Sequence, residues 1–251
     1  MSDTAKIVLE MLEHSSYTVV LSGVGMLGES GYPMLRDDEN AYDIEQRYGY
    51  SAEELLSSAF LSTRKDQFFD AYRNEILANI DTPPGRGFTD MAKLANMGLF
   101  NQVITRRVYD LPRRAGCPNV INLHGSVYDN HCTHCGKAYP VEYIRASKKV
   151  PLCEDCGQVV RPGICLFGEM VNNQVVTYAA NEIQKAEVLV VLGTNLKTYL
   201  CNQLIQYYGG DKLILINAEK HYSDKFADLV WYSRVDDALD KIIEEKEKNN
   251  G

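Results

Sequence analysis

Two pairs of closely spaced cysteines constrain this chain more than any other feature of its sequence. Cys132 and Cys135 are separated by two residues, as are Cys153 and Cys156, and residues 136–152 lie between the pairs. Two such turns bring four thiolates to one metal ion, and this spacing is typical of tetrahedral zinc. Four thiolates leave no coordination position open, so we predict a structural zinc site. His131 and His134 flank the first pair, and either could in principle replace a cysteine ligand.

Charge and hydropathy exclude several classes of protein. The 251 residues include seven cysteines, 26 Lys+Arg and 34 Asp+Glu, for a net charge of −8. No apolar run approaches the ~20 residues needed to cross a bilayer, and residues 1–14 are typical of an amphipathic helix rather than an export signal. We therefore expect a cytoplasmic protein with reduced thiols and no membrane partner. The acidic total argues against nucleic-acid binding, which a zinc ribbon alone would suggest.

Strands and helices alternate along most of the chain. Apolar runs predict strands at 17–22, 102–105, 120–124, 164–167, 188–192, 212–217 and 229–232, and helices follow at 174–185, 199–208 and 236–246. This order predicts an α/β fold, a Rossmann-like parallel sheet with helices on both faces. Ser51 with Glu54 forms a capping box, and Thr89 is the predicted N-cap of a later helix.

Two stretches interrupt the alternation, a helical insertion at 36–81 and a strand-poor, cysteine-bearing segment at 126–162. We expect them to form a small lobe made of a helical module and a zinc-binding module. The large Rossmann-like lobe would then comprise 1–35, 82–125 and 163–251. A substrate cleft is expected between the lobes.

Two further motifs sit at predicted strand ends. Gly23-Val24-Gly25-Met26-Leu27-Gly28 follows the first strand, where glycines let backbone amides approach a phosphate. His124 ends the strand at 120–124, and the ends of parallel strands collect catalytic groups. Because its ordinary pKa is near neutrality, His124 is a candidate general base, although a lone histidine is often structural.

Taken in order, these motifs resemble the sirtuin family of NAD-dependent protein lysine deacylases, from about Thr18 to Leu239. The glycine-rich stretch 23–36, Leu123-His124-Gly125 and the paired cysteines carry the resemblance. Residues 161–169 are similar to the family's acyl-lysine peptide strand. Residues 193–196 and 216–219 fall where the family holds the cofactor's phosphates and adenosine ribose.

The resemblance implies an enzyme that transfers an acyl group from lysine to ADP-ribose and releases nicotinamide. NAD is the implied cofactor, an acylated-lysine protein or peptide the implied partner, and His124 the base acting on ribose hydroxyls. The implied cofactor-binding residues are Gly23, Val24, Gly25, Gly28, Leu35, Arg36, Arg106, Val108, Tyr109, Gly193, Thr194, Asn195, Asn217, Glu219 and Val235. The implied peptide-binding residues are Ile164, Cys165, Leu166, Phe167, Gly168 and Glu169.

The motif at 105–112 departs most from the family pattern, beside smaller departures at Leu27-Gly28, Leu35 and Asn195. Where the family reads T-Q-N-I-D-x-L-H, residues 105–112 read T-R-R-V-Y-D-L-P, so Arg107 and Tyr109 replace the asparagine and aspartate that position nicotinamide and its ribose. A guanidinium cannot accept a hydrogen bond as an amide oxygen can. The nicotinamide pocket must therefore be rebuilt or impaired. The arginines of this stretch, at 106, 107, 113 and 114, could be a solvated surface or could recognise phosphate, an acidic acyl group or ADP-ribose.

Four functions remain open from the sequence. The first is an active deacylase with an altered nicotinamide pocket. The second is a sirtuin-like protein that binds NAD or ADP-ribose with little turnover. A third redirects ADP-ribose to water or to a protein acceptor. The fourth is a zinc ribbon that binds nucleic acid.

Overall fold

A central sheet of six parallel strands organises the molecule. The computed structural model describes residues 2–32 and 38–250. The strands are β1 (Thr18–Ser22), β2 (Gln102–Thr105), β3 (Val120–Asn122), β4 (Asn130–Cys132), β5 (Ala138–Tyr139), β6 (Val160–Arg161), β7 (Val188–Leu192), β8 (Leu213–Asn217) and β9 (Leu229–Tyr232). The large sheet has the order β3-β2-β1-β7-β8-β9, with every neighbouring pair parallel. The Rossmann-like prediction is confirmed.

Helices cover both faces of this sheet. They are α1 (Ser2–Glu13), α2 (Gly25–Glu29), α3 (Asp38–Tyr48), α4 (Ala52–Leu55), α5 (Ser58–Thr63), α6 (Lys65–Ala71), α7 (Arg86–Asn96), α8 (Leu111–Arg114), α9 (Val141–Ala146), α10 (Asn173–Lys185), α11 (Tyr199–Ile205) and α12 (Val235–Asn250). Val20 of β1 faces the core shared with α1, α7 and α12, whereas Val19 and Leu21 face the core shared with α10 and α11. Because successive side chains of a strand point to opposite faces of the sheet, one apolar run contributes to the core on both faces.

The helical insertion packs through a row of aromatic residues. Phe68, Phe69 and Tyr72 are fully buried, and the rings of Phe68 and Tyr72 stack with centroids 5.8 Å apart. The helix widens into a π-helical turn at Tyr72–Ile76. The capping box predicted at Ser51 is confirmed, because Ser51 accepts from the Glu54 amide while the Glu54 carboxylate accepts from the Ser51 amide.

The cysteine-bearing segment holds a small sheet that the sequence did not predict. Strands β4, β5 and β6 pair antiparallel in the order β5-β4-β6. Gly136 and Gly157 each follow a cysteine pair with φ of 73° and 71°, which allows the chain to reverse tightly. The strands are two or three residues long, too short for an alternating pattern to be visible in sequence. The segment is poor in strand, as expected, but its small sheet was not predicted.

Two other local predictions differ from the structure. Residues 164–167 form no regular strand, because Ile164 bridges to Gly125 while Phe167 bridges to Ser57, and these partners belong to different parts of the chain. Helix α7 begins at Arg86 with Gly85 as N-cap, so the Thr89 hydroxyl lies inside the helix and donates to the Arg86 carbonyl at 2.8 Å. Within 2–32 and 38–250, no helix combines the length and the apolar character that crossing a membrane requires.

Candidate active site

The order of the large sheet reverses between β1 and β7, and the loops that follow these two strands meet there. The Gly23 amide donates to the Leu192 carbonyl at 2.8 Å, and the Gly25 amide donates to the Gly193 carbonyl at 2.7 Å. A Cβ on Gly23 would lie 2.3 Å from the Cβ of Thr194. These glycines are therefore explained by the close packing of the two loops, and both amides are engaged with backbone rather than turned toward a phosphate.

His124 lies at the same edge of the sheet, two residues beyond β3. The Leu123 amide donates to the Thr105 carbonyl at 2.9 Å, which prolongs the strand pairing, and the Cys165 amide donates to the His124 carbonyl at 2.9 Å. Gly125 follows with φ of 72°, and a Cβ there would lie 2.0 Å from the Gly163 carbonyl oxygen. The backbone on both sides of His124 is thereby held in place.

An open cleft of about 700 Å³ lies beside this edge of the sheet. Its volume is in the range of small-molecule and cofactor sites. The lining brings together His124, residues 106–109 and residues 164–171, with Val24 and Leu27 from the glycine-rich loop and Leu56 and Ile76 from the helical insertion. Segments that are distant in sequence, including the insertion, thus share one cleft.

The His124 imidazole has an unusually low pKa. Its burial has the largest effect, followed by the positive charges of Arg106 and Arg107, and together they lower the pKa to about 4. Burial and a nearby cation both disfavour the protonated ring. At neutral pH His124 is therefore uncharged, as a general base must be before it takes a proton, and the same shift makes it a weaker base than an ordinary imidazole.

The segment 164–169 is held by the Glu169 carboxylate. Glu169 accepts from the Leu166 amide at 2.9 Å and from the Arg161 guanidinium at 2.5 Å. The Phe167 amide donates to the Leu56 carbonyl at 3.1 Å, and the Phe167 carbonyl accepts from the Ser58 amide at 3.0 Å. Glu169 thus shapes a segment of the cleft lining through its contacts with Arg161 and the Leu166 amide.

The four paired cysteines form one cluster. Their Sγ atoms all lie within 4.8 Å of one another, with Cys132 and Cys156 at 3.4 Å and Cys135 and Cys153 at 3.6 Å. A tetrahedral Zn²⁺ with Zn–S bonds of about 2.3 Å needs sulfurs about 3.8 Å apart, so the residues fit the ion. The Tyr139 hydroxyl donates to Cys153 Sγ at 3.2 Å and lowers the pKa of that thiol to about 6, which favours the thiolate.

Comparison with known proteins decides the family. Residues 23–199 match the model of the Sir2 family. The chain belongs to the Sir2 family. It is 34% identical over 244 residues to the NAD-dependent protein deacetylase of Clostridium tetani, with 97% of this chain and 98% of that protein covered. It is 35% identical over 240 residues to the one from Cutibacterium acnes, with 96% of each chain covered.

Solved Sir2 structures share the whole fold. A structure of Sir2 with a p53 peptide and NAD⁺ has a TM-score of 0.81 at 29% identity, covering 97% of this chain and 98% of that one. A complex of a Sir2 homologue with NAD has a TM-score of 0.85 at 28% identity, covering 98% of this chain and 95% of that one. The resemblance to the sirtuins is thereby confirmed.

Most of the residues predicted to bind cofactor lie in one of three places in this Sir2 family member: the cleft lining, the loop after β7 and the end of β8. Val24, Arg106, Val108 and Tyr109 line the cleft, and Gly193, Thr194 and Asn195 follow β7 at the reversal point. Asn217 ends β8, with its amide donating to the Glu219 carbonyl at 2.8 Å. Leu35 and Arg36 lie outside the described residues.

Val235 and Gly28 stand apart from the cleft lining. The Val235 side chain is fully buried among core residues, and its amide donates to the Glu29 carboxylate at 2.9 Å. It opens α12, and its side chain packs in the core rather than in the cleft lining. Gly28 is exposed within α2 and does not line the cleft.

The basic stretch that departs from the Sir2 pattern divides into two parts. Arg113 donates to the Asp110 carboxylate at 3.0 Å, and Arg114 donates to the Tyr32 hydroxyl at 3.1 Å. Arg106 and Arg107 instead line the cleft with His124. The solvated-surface interpretation therefore does not describe the first two arginines.

Tyr109, the other departure, is largely buried against a second tyrosine. Its ring centroid lies 4.9 Å from that of Tyr32, and burial raises its pKa, so the phenol stays neutral. The next residue, Asp110, adopts φ of 55° and accepts from the Asn122 side-chain amide at 2.7 Å. The Asp110 carboxylate is thus engaged within the protein.

Sequence reasoning missed a second, inner cavity. It lies beside the main cleft, has a volume of about 40 Å³, and is lined in part by Thr198, Cys201 and Leu204 as well as by both cleft arginines. The i, i+3 spacing of Cys201 and Leu204 indicates one helix face, yet that pattern is also typical of core packing. Only the tertiary fold shows that this face shares a cavity with Arg106.

Proposed function

We propose that this Sir2 family member is an NAD-dependent protein lysine deacylase with His124 as its general base. The observation that carries the proposal is the uncharged His124 imidazole in a cleft that it shares with segment 164–169. The names of the relatives support the same activity. When bound, NAD supplies the ribose carbon that takes the acyl oxygen as nicotinamide leaves.

Each part of the cleft has a role in this proposal. His124 accepts the proton of a ribose hydroxyl at its ring nitrogen. The loops after β1 and β7, with Gly23 and Thr194 packed together, support the dinucleotide at the reversal point of the sheet, where such ligands bind in open α/β folds. Residues 164–169 receive the acyl-lysine peptide, and the cluster of four cysteines holds zinc away from the reaction.

A second candidate is favoured by the residues at 107 and 109. Arg107 cannot accept a hydrogen bond as an asparagine oxygen can, and Tyr109 replaces the anionic acceptor of an aspartate with a bulky ring. The alternative is therefore a Sir2-like protein that binds NAD or ADP-ribose with weak activity, or that sends ADP-ribose to water or to a protein acceptor.

Mass spectrometry of one reaction separates these candidates. Incubation with NAD and an acetyl-lysine peptide should release nicotinamide and deacetylated peptide in equal amounts, and His124→Ala should reduce both at least about 100-fold. His14→Ala, which alters an exposed histidine at the end of α1, is the matched control and should change neither. Nicotinamide release from NAD alone at the same rate would favour redirected chemistry, and full activity in His124→Ala would reject the base.

We also propose that the chain folds into two lobes and that the protein is cytoplasmic. The division is supported by the separate small sheet within 126–162 and by the helical insertion, both of which interrupt the alternation.

A cytoplasmic location is supported by the cysteines, because four cluster as metal ligands and Cys117, Cys165 and Cys201 are thiols.

A further inference from the structure

Arg106 and Arg107 stand between the two cavities of the site. Both line the main cleft with His124, and both line the inner cavity under the glycine-rich loop. Among the described residues that line the inner cavity they are the only charged ones, and the other walls are largely apolar, including Leu21, Ile104 and Leu123. Apolar walls strengthen any charge interaction made there.

The charge of the cleft is positive at the end where the two cavities meet. Glu169 is the one acidic side chain in the described lining of the main cleft, and it is engaged with Arg161 and the Leu166 amide. The positive charge of Arg106 and Arg107 also reaches His124, whose pKa both arginines lower. A ligand in the cleft therefore meets a positive field at its inner end.

The size of the inner cavity limits what can enter it. One water needs about 10–15 Å³, so a volume of about 40 Å³ holds about three water-sized groups. A carboxylate has this size and offers acceptors on both oxygens to guanidinium donors. A carboxamide has the same size, but its NH2 group would face guanidinium groups that only donate. That NH2 group would therefore have no acceptor on either arginine.

We propose that Arg106 and Arg107 form a carboxylate subsite at the inner end of the cleft, which prefers a carboxylate-bearing ligand to the corresponding carboxamide. The inference rests on the proposed function, because it names the chemistry of one of its substrates. The carboxylate can come from the far end of an acidic acyl chain on lysine or from a free pyridine carboxylate such as nicotinate. Both sources present the same group to the same guanidinium pair.

The test compares carboxylate with carboxamide in two arms. In the first, kcat/KM is measured for a succinyl-lysine peptide and for its succinamyl isostere. In the second, calorimetry measures the binding of nicotinate and of nicotinamide. We expect the carboxylate to be favoured about tenfold or more in one arm, which identifies the source, as is typical of charge-assisted hydrogen bonds. A carboxamide bound or processed as well as the carboxylate in both arms overturns the proposal.

Variants assign the preference to the two arginines. The double change Arg106→Met with Arg107→Met should reduce the preference to about threefold or less, and Arg107→Gln alone provides a milder variant should the double one not fold. Arg145→Met is the matched control, since Arg145 is exposed on α9 and pairs with Asp81 away from the cleft. A preference unchanged in folded cleft variants also overturns the proposal.

The acetyl-lysine reaction is run in parallel to separate the two proposals. Deacetylation without any carboxylate preference leaves the proposed function standing and rejects the subsite. Nicotinate binding that depends on both arginines, without turnover of any acyl peptide, retains the subsite and rejects the deacylase.

Discussion

The surroundings of His124 set the protonation state of its imidazole. Burial and two arginines lower its pKa to about 4, against an ordinary value of about 6.5. A base fails once it is protonated, so this shift moves the loss of activity to lower pH. We therefore predict that kcat/KM holds at about pH 5.5, where an ordinary imidazole would be mostly protonated.

The same pKa can be read directly by NMR titration of the imidazole, with the other four histidines as internal references. Replacing Arg106 and Arg107 with methionine should raise the pKa of His124, but not to 6.5, because burial is its largest cause. Arg145→Met should leave it unchanged. An identical His124 pKa in the double variant would show that the arginines do not act on it.

At the scale of elements, the cysteine spacing predicts the zinc-binding module clearly, whereas the strands of that module are too short to show a sequence pattern. Strands of two or three residues cannot hold a sheet by themselves, so the metal must supply that stability. We predict one zinc per chain. Cys153→Ala should abolish zinc binding and speed amide hydrogen exchange in β4, β5 and β6, while β7 and β8 stay protected.

Cys117→Ala is the matched control for this change, because Cys117 is a buried thiol outside the cluster. It should keep one zinc per chain by elemental analysis. Loss of protection in β7 and β8 in the Cys153 variant would contradict the prediction, since it would mean that the zinc-binding module and the large sheet unfold together.

At the scale of the whole molecule, the Glu29 carboxylate is one of the groups that tie the first part of the chain to the last, as the Glu13–Lys246 ion pair also does. Glu29, at the end of the short helix after β1, accepts from the Val235 amide at 2.9 Å and from the Asp236 amide at 3.2 Å. These amides open α12 and have no partner within their own helix. The carboxylate also lies where the helix dipole favours negative charge.

We predict that Glu29→Gln lowers the free energy of unfolding by about 1–2 kcal/mol, because one charge-assisted acceptor becomes a donor. Urea unfolding followed by circular dichroism measures it. Glu45→Gln, an exposed change on α3, should stay within about 0.5 kcal/mol of the unchanged protein. Equal stability of the two variants would show that this connection contributes nothing to the fold.

Local chemistry was open to prediction from the sequence. The zinc ligands, the capping box at Ser51 and most strands of the large sheet depend on spacing or periodicity over a few residues, which the chain displays directly. The family could be recognised for the same reason, since its motifs are short and ordered. The prediction failed where a segment owed its shape to partners far away, as at 164–167.

Only the tertiary structure decided what the basic stretch does. Four arginines look alike in sequence. In the fold, Arg113 donates to Asp110 and Arg114 donates to Tyr32. Arg106 and Arg107 line the cleft beside His124. The physical reason is that a side chain's neighbours depend on strand order and loop packing, which bring together residues from distant parts of the chain. The sequence alone determined which reactive and metal-binding side chains the chain carries, and the fold determined which of them lie next to one another.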